Sequence, residues 1–202
     1  MLLTTVLLAG CGSVAKAPEE TVQNSLIIDK DGTVVSHMVD VFDKSYYDLE
    51  ELKQMAVEEI AAYNTANQVG TTAPVSLKEV KKTPSSMAVV SYNYDSLATY
   101  GDYNNRTCFY GTVEEAKAAG YNFDVLNQVM FNANADNSIV SSQLNESKMQ
   151  KKHVILLDEK TLVYCPYKVY YTSENAVVRE DGSVDTTAML PEEFPAIILL
   201  DK

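Results

Sequence analysis

The chain has 202 residues, of which 46% are hydrophobic and 22% charged, a composition typical of globular proteins rather than disordered or fibrous ones. A chain of this length buries roughly 70% of its unfolded surface, so it needs neither a metal nor a disulfide to fold. With 28 acidic and 16 basic residues, its net charge is -12. This charge argues against nucleic acid as a partner and against electrostatic adhesion to anionic lipid or wall polymer.

Residues 2–10 form a short, uncharged and mostly apolar run that ends directly before Cys11. About ten such residues are too few to span a bilayer, which takes about twenty, but they match the hydrophobic region of a signal peptide. We therefore interpret residues 1–10 as a lipoprotein signal peptide. Because no Lys or Arg precedes the apolar run, we expect the true start of this leader to lie upstream of Met1.

The residues before the cysteine, Leu8-Ala9-Gly10, resemble a bacterial lipobox, in which one branched and two small residues precede a cysteine that receives a diacylglycerol. The resemblance implies that Cys11 is acylated and becomes the N-terminus of the mature chain. Residues 11–24 have no apolar period, which favours a flexible tether that reaches roughly 20 Å. The alternative to a signal peptide is a buried N-terminal strand or helix that ends in a core cysteine.

Strand patterns, most of them arranged as hairpins, recur along the rest of the chain. Asp31-Gly32 and Asp181-Gly182 each separate two apolar runs, and glycine supplies the positive φ that such a tight turn needs. Pro166 interrupts the longest of these patterns. The stretches that read as strands or hairpins are residues 25–42, 75–94, 153–157, 161–172, 176–187 and 196–200.

Helical periodicity is strongest over Tyr47–Asn64, where apolar residues are spaced by three and four positions. Asp48 and Glu51 fit a capping box at the start of this helix. We expect the helix to be structural and to pack its apolar face on a sheet. That face consists of Leu49, Leu52, Ala56, Ile60 and Tyr63.

Shorter helices are predicted in the middle of the chain. Asp95 is placed to cap one of them, and Thr112 with Glu115 forms a capping box for a helix over Val113–Ala119. Residues 122–152 are dense in Asn, Asp, Ser and Gln, so we predict that this region is mostly loop with short turns.

The hairpins, without regular alternation of strand and helix, predict an α+β fold. We expect an antiparallel sheet built from hairpins, one main packed helix and short capped helices. Residues 25–202 are predicted to form a single α+β domain. A division into residues 25–110 and 111–202 is the alternative, but no linker rich in proline or glycine marks it.

Two stretches of the chain carry a family resemblance. The first is F-D-K-S-Y-Y-D at residues 42–48 with its continuation to Asn64, and the second is Y-G-T-V-E-E-A at residues 110–116 with Gly120 and Tyr121. Both resemble segments of small uncharacterised lipoproteins from anaerobic, gut-type Gram-positive bacteria. The resemblance implies a lipid-anchored protein at the extracellular side of the cell membrane, and it brings no established activity with it.

With Cys11 lipidated, the remaining cysteines are Cys108 and Cys165. In an exported protein they could form a disulfide, which would stabilise the fold by about 4 kcal/mol in the chain-entropy model, and two separate buried thiols are the alternative. A thiol nucleophile needs a nearby imidazole, and no sequence signature joins His37 or His153 to a cysteine. No metal-binding spacing or cofactor motif occurs, so we assign no catalytic residue, metal ligand or cofactor.

The chain has thirteen tyrosines and no tryptophan, and five of these tyrosines fall close together near several asparagines. A cleft lined by such side chains would bind sugar or peptide through stacking and amide hydrogen bonds. Alternatively, the rings cover a sheet edge with their hydroxyls in water. The five residues are Tyr92, Tyr94, Tyr100, Tyr103 and Tyr110.

Two classes of function are compatible with these features. The first is a membrane-anchored, non-catalytic binding or interaction module on the cell surface, held in the lipid bilayer by an N-terminal diacylglycerol. Its partner would be an envelope protein, a peptide or a glycan. The second is an extracytoplasmic hydrolase whose catalytic carboxylates no motif identifies. The absence of any catalytic signature in the sequence favours the binding module.

Overall fold

The computed structural model describes residues 14–18, 21–67, 70–188 and 195–202. These residues form two β-sheets, one long helix and several short helices, which is the α+β class that the sequence predicts. The strands, however, divide between two sheets that pack face to face, and they do not form the single sheet that the hairpin pattern suggests.

Thirteen strands lie within the described part of the chain. They are β1 (Ser25–Ile28), β2 (Val34–Val41), β3 (Val75–Lys82), β4 (Met87–Tyr94), β5 (Cys108–Thr112), β6 (Val129–Asn132), β7 (Ser138–Val140), β8 (His153–Leu157), β9 (Leu162–Tyr164), β10 (Val169–Ser173), β11 (Val177–Val178), β12 (Val184–Asp185) and β13 (Ala196–Leu200). The helices are α1 (Leu49–Asn67), α2 (Leu97–Asn104), α3 (Val113–Ala118), α4 (Phe123–Leu126) and a 3-10 helix over Ser141–Asn145.

The two sheets have interleaved connections. Sheet A has the strand order β11-β12-β9-β1-β2-β4-β3, and sheet B has the order β5-β8-β13-β10-β6-β7. The described pairings are antiparallel, apart from β1, which lies parallel to β9. The pattern predicted as one strand over residues 161–172 is two strands, because β9 belongs to sheet A and β10 to sheet B. Pro166 lies at this crossing, where its missing N–H disrupts no sheet.

The two Asp-Gly turns predicted from the sequence form hairpins of the same construction. Asp31 Oδ1 accepts hydrogen bonds from the backbone N–H and the hydroxyl of Thr33, at 3.1 and 2.7 Å. Asp181 Oδ1 accepts the equivalent pair from Ser183, at 2.9 and 2.6 Å. The glycine between donor and acceptor has a φ of 90° in the first turn and 84° in the second. In both hairpins the aspartate carboxylate satisfies polar groups of its own turn.

Helix α1 is the predicted main helix, shifted towards its C-terminus by two to three residues. Asp48 Oδ1 caps it by accepting two backbone N–H bonds of its first turn, at 2.7 and 3.1 Å. On the predicted apolar face, Ala56 and Ile60 are buried, and the other three positions are partly covered. The helix lies along β3, where the Asn64 side chain binds both the carbonyl and the N–H of Val75. This contact covers polar backbone groups at the start of an edge strand.

The capping predictions for the short helices have different outcomes. The capping box of Thr112 and Glu115 at the start of α3 is confirmed. The cap of α2 is Ser96, whose Oγ accepts the N–H of Thr99 at 3.0 Å, and not Asp95. Asp95 instead accepts a hydrogen bond from the Thr99 hydroxyl. Asp95 lies one residue before the cap, so its carboxylate reaches the Thr99 hydroxyl but not a backbone N–H of the first turn.

Residues 122–152, predicted as mostly loop, contain α4, the β6–β7 hairpin of sheet B and the 3-10 helix. The polar residues of this region close turns and cap helices. Asn122, for example, accepts two N–H bonds at the start of α4, and Asn132 closes the turn after β6. Met130 and Leu144 are fully buried. The Asn-rich composition therefore reflects local capping around a few buried anchors rather than a lack of structure.

The central strands of sheet B, β8 and β13, are buried on both faces. Alternate residues of β8 and β13 contribute to two separate hydrophobic clusters. Ile155 and Ile198 belong to the cluster between the two sheets, whereas Leu156 and Leu199 belong to the cluster under α3, α4 and the 3-10 helix. Burial on both faces explains why these strands are continuous aliphatic runs instead of alternating patterns.

The core between the sheets has two ends, and the strand pairings fix which segments meet at each. The turn between β1 and β2, the start of β8 and the C-terminus of the chain meet at one end. The start of β1, the end of β8 and the connection into β9 meet at the other. These two ends hold the polar side chains of the candidate site.

Candidate functional site

The predicted lipidation site, Cys11, lies outside the described residues. The first described residues, Val14 and Ala15, line a groove of about 480 Å³ together with side chains such as Lys30 and Tyr164. The groove lies at the end of sheet A that carries the β1–β2 turn. Part of the segment expected to be a flexible tether therefore contacts the domain, and it does so only three residues after Cys11.

Cys108 and Cys165 are both free thiols in the structure and do not form a disulfide with each other. Burial raises the pKa of each thiol to about 12, and the carboxyl group of Glu159 adds to this effect at Cys108. Of the two alternatives for these cysteines, the structure has two separate thiols. With such pKa values neither carries the thiolate that nucleophilic attack requires near neutral pH.

The two histidines lie far from each other in the fold. His37 Nδ1 lies 2.7 Å from Ser91 Oγ in sheet A, and the ring of His153 lies between those of Tyr110 and Tyr167. Burial lowers the pKa of both imidazoles, which are therefore neutral at pH 7. Within the described ranges, no three His, Cys, Asp or Glu side chains come close enough together to hold a metal ion.

The five tyrosines predicted as a ligand-contact surface fall into two groups that differ in burial. Tyr92, Tyr94 and Tyr100 are core residues with relative exposures of 6%, 2% and 4%, so they present no ring face to a ligand. The sheet-edge alternative expects hydroxyls in water, but the Tyr100 hydroxyl donates to Glu159 and the Tyr94 hydroxyl accepts from Asn104. Tyr103 and Tyr110 are partly covered and pack against the same core.

Most of these rings form one aromatic cluster, which Tyr63 of α1 completes. The ring of Tyr103 lies 5.1 Å from Tyr63, 5.9 Å from Tyr92 and 5.7 Å from Tyr94, and Tyr94 meets Tyr100 edge to face at 5.1 Å. Aromatic pairs of this kind stabilise a fold by about 0.5–1.5 kcal/mol each beyond the area that they bury. The cluster thus holds α1, α2 and β4 together.

A hydrogen-bonded pair, the buried Tyr100 and the half-buried Glu159, closes one end of the core. The Tyr100 hydroxyl donates a hydrogen bond to Glu159 Oε2, and Asn104 Nδ2 donates to the Tyr100 carbonyl at 2.9 Å. Burial raises the pKa of Glu159, and the hydrogen bond from Tyr100 offsets part of that rise. Beside the pair is a cavity of about 50 Å³, lined in part by Ser36 and Thr161. It has room for water but is far smaller than the roughly 300 Å³ of a typical small-molecule site.

The opposite end of the core combines lysines with aromatic rings. Tyr167, in the connection between β9 and β10, lies with its ring centre 4.6 Å from Lys202 Nζ and 5.5 Å from Lys30 Nζ. Its ring is 5.8 Å from His153, which is 5.6 Å from Tyr110. We call these five residues the lysine–tyrosine end. Neither of its lysines forms an ion pair with a carboxylate among the described residues.

Two polar atoms beneath these lysines have no partner in the described part of the chain. They are the Tyr110 hydroxyl and His153 Nδ1, both buried. Burial raises the pKa of Tyr110 to about 12, with smaller contributions from Tyr167 and other neighbours. A buried polar atom without a partner costs about 1–3 kcal/mol. The lysine–tyrosine end therefore combines exposed positive charge with unsatisfied polar groups.

Sequence reasoning did not single out Glu159, Lys30, Tyr167 or Lys202. Tyr100 and Glu159 are 59 positions apart, and the two lysines come from a hairpin turn and the last residue of the chain. No local pattern links such residues. The one usable signal was the excess of tyrosines, which marks aromatic clusters but not the charged groups that join them.

Comparisons of the chain with protein-family models, curated proteins and solved structures find no match. No helix among the described residues has both the length and the apolar character needed to cross a membrane. The chemistry of the two ends of the core is therefore the basis on which a function can be proposed.

Proposed function

We propose that the chain is a lipid-anchored, non-catalytic binding module at the extracellular side of the cell membrane, attached through Cys11. The lipobox-like residues Leu8-Ala9-Gly10 before Cys11 support the anchor, and Val14 and Ala15 at the groove indicate a short connection to the domain. An extended residue spans at most about 3.6 Å, so the chain from Cys11 to Val14 spans at most about 11 Å. A diacylglycerol on Cys11 would hold the domain directly at the bilayer surface and not at the end of a long tether.

The state of the titratable groups supports binding rather than catalysis. The two thiols have raised pKa values, and the carboxyl group of Glu159 is bound to Tyr100 inside the core. In contrast, Lys30 lies at an open groove of about 480 Å³, a volume typical of ligand sites. An envelope peptide, protein or glycan is the proposed partner of this module.

The anchor is tested by Cys11→Ala in the chain expressed from its full gene. We expect this variant to leave the membrane fraction and to lose the mass of the lipid, because the variant has no thiol to acylate. Cys108→Ala is the matched control and should stay in the membrane with its lipid. A Cys11→Ala chain that remains in the membrane and carries the same lipid mass would contradict the proposal.

A further inference from the structure

We infer that the lysine–tyrosine end is the surface on which the domain rests against anionic phospholipid headgroups. The inference rests on the proposed anchor at Cys11. Val14 and Ala15 line the groove beside Lys30, and Cys11 lies at most about 11 Å from Val14, so the lipid would be attached on this side of the domain. The Tyr100–Glu159 end is at the opposite side of the domain, beside the start of β1, and faces away from the bilayer.

The distribution of charge favours the same orientation. The whole chain has a net charge of -12, which an anionic leaflet repels. The lysine–tyrosine end is close to neutral, and the excess of negative charge lies on the rest of the domain. The charged residues around this end are Lys30, Lys152, Lys168 and Lys202, with Asp29, Asp31, Glu115 and Asp201.

The chemistry of this end fits a phosphate-bearing lipid surface. Lys30 and Lys202 have no carboxylate partner among the described residues, so their ammonium groups can donate to headgroup phosphates. Tyr167 between them has an apolar ring and a polar hydroxyl, the combination that suits a membrane interface. Removing one lysine charge from this end, at about 1 kcal/mol per charge near an anionic leaflet, should change the orientation ratio by roughly fivefold.

Single tryptophans can measure the orientation, because the chain has none of its own. Tyr167→Trp places a reporter at the lysine–tyrosine end and preserves the contact of an aromatic ring with the lysines. Tyr46→Trp places one at the far side, where Tyr46 is 75% exposed. The acylated chains are reconstituted in phosphatidylcholine vesicles with or without phosphatidylglycerol, and a headgroup spin label quenches the fluorescence. We expect strong quenching at position 167, stronger with phosphatidylglycerol, and little at position 46.

Charge variants test whether the two lysines cause this orientation. Lys30→Gln with Lys202→Gln should lower the ratio of quenching at 167 to quenching at 46 severalfold. Lys53→Gln with Lys78→Gln removes the same charge from exposed lysines elsewhere and should leave the ratio unchanged. Circular dichroism of each variant confirms that it folds.

Three outcomes would overturn the inference. The first is equal quenching at both reporters. The second is a ratio of quenching at 167 to quenching at 46 that does not change when Lys30 and Lys202 are replaced by glutamine. The third is loss of quenching when inorganic phosphate is added at constant ionic strength, which would indicate a site for a free anion. A failed anchor is recognised separately, because an unacylated chain does not float with the vesicles. The orientation is then measured with an N-terminal histidine tag in place of residues 1–10, bound to nickel-chelating lipid.

Discussion

The two ends of the core between the sheets handle polar groups in opposite ways. At one end, the buried Tyr100 and the half-buried Glu159 are joined by a hydrogen bond. At the other end, Lys30 and Lys202 keep their charges at the surface around Tyr167, and no carboxylate of the described residues pairs with them. The first arrangement contributes to the fold, whereas the second leaves charge free for a partner.

This difference separates two kinds of perturbed side chain. A raised pKa, as at Glu159, is often a mark of an active site, but here the carboxyl group is occupied by Tyr100 inside the core. The lysines at the other end, which are accessible, are the better candidates for contact with another molecule. The accessibility of the charged groups therefore distinguishes the ends more clearly than the pKa values do.

The largest effect on stability is expected from substitutions in the apolar core between the two ends. Ile198 is fully buried between the sheets, so Ile198→Ala should lower the free energy of unfolding by about 2–5 kcal/mol. Val177→Ala, at a side chain that is 57% exposed, should change it by no more than about 0.5 kcal/mol. Urea denaturation of both variants measures the difference. Similar values for the two would mean that the sheets do not pack as described.

A matched pair of tyrosine changes compares the ends themselves. Tyr100→Phe removes the donor to a buried carboxyl group and should cost about 1–3 kcal/mol. Tyr167→Phe, at the open end where water can solvate the polar groups, should cost less than about 0.5 kcal/mol. In the Glu159→Gln background, the cost of Tyr100→Phe should shrink, because no carboxylate is then left unpaired. Equal costs for both Tyr→Phe changes in the native background would remove the distinction between a closed and an open end.

The pH dependence of stability should differ in sign between Glu159 and Asp181. The folded pKa of Glu159 is raised above its ordinary value of 4.5, so its contribution to stability is complete below that pH and is lost as pH rises through the folded pKa. Glu159→Gln should therefore gain stability relative to the native chain as pH rises through this window.

Asp181 gives the opposite case. Hydrogen bonds from Ser183 lower its pKa below the ordinary 3.8, so its contribution is present above that pH and is lost as pH falls through the folded pKa. At neutral pH, Asp181→Asn should be less stable than the native chain, and this difference in stability should disappear in strong acid. Thermal melts across the acid range measure both trends, and parallel trends for the two variants would contradict the assignment.

The last expected effect concerns the reactivity of the two thiols and not the stability of the fold. In a chain that carries Cys11→Ala, Cys108 and Cys165 should react slowly with Ellman's reagent at neutral pH, because burial raises both pKa values to about 12. Denaturant should release two reactive thiols. If denatured chain without reductant yields none, the cysteines are bonded and the disulfide alternative holds.

Local patterns in the sequence predict those parts of the fold that local contacts build. The hairpin at Asp31 and the cap at Thr112 each satisfy their own backbone groups within a few residues. The pairing of strands that are distant in the sequence has no such local pattern. The division of residues 161–172 between two sheets depends on which strands lie beside them, and the aliphatic runs do not encode that order.

The candidate site was less predictable than the fold for the same reason. The excess of tyrosines correctly indicated clustered rings, but most of the cluster lies in the core because β4 alternates and faces sheet B there. Lys30 and Lys202 meet at Tyr167 only because a turn, a strand crossing and the chain terminus share one end of the core. Such a meeting is a property of the topology, which single-sequence patterns do not specify.

Nitration by tetranitromethane, read by mass spectrometry, compares the two ends most directly. The acylated chain in vesicles that contain phosphatidylglycerol is treated in parallel with the Cys11→Ala chain free in solution. Tyr46, 75% exposed, should be nitrated in both samples, and Tyr100, 4% exposed, in neither. Tyr167 should be nitrated in the free chain and protected on the vesicles. Equal nitration of Tyr167 in both samples, with Tyr46 behaving as expected, would contradict a membrane-facing lysine–tyrosine end.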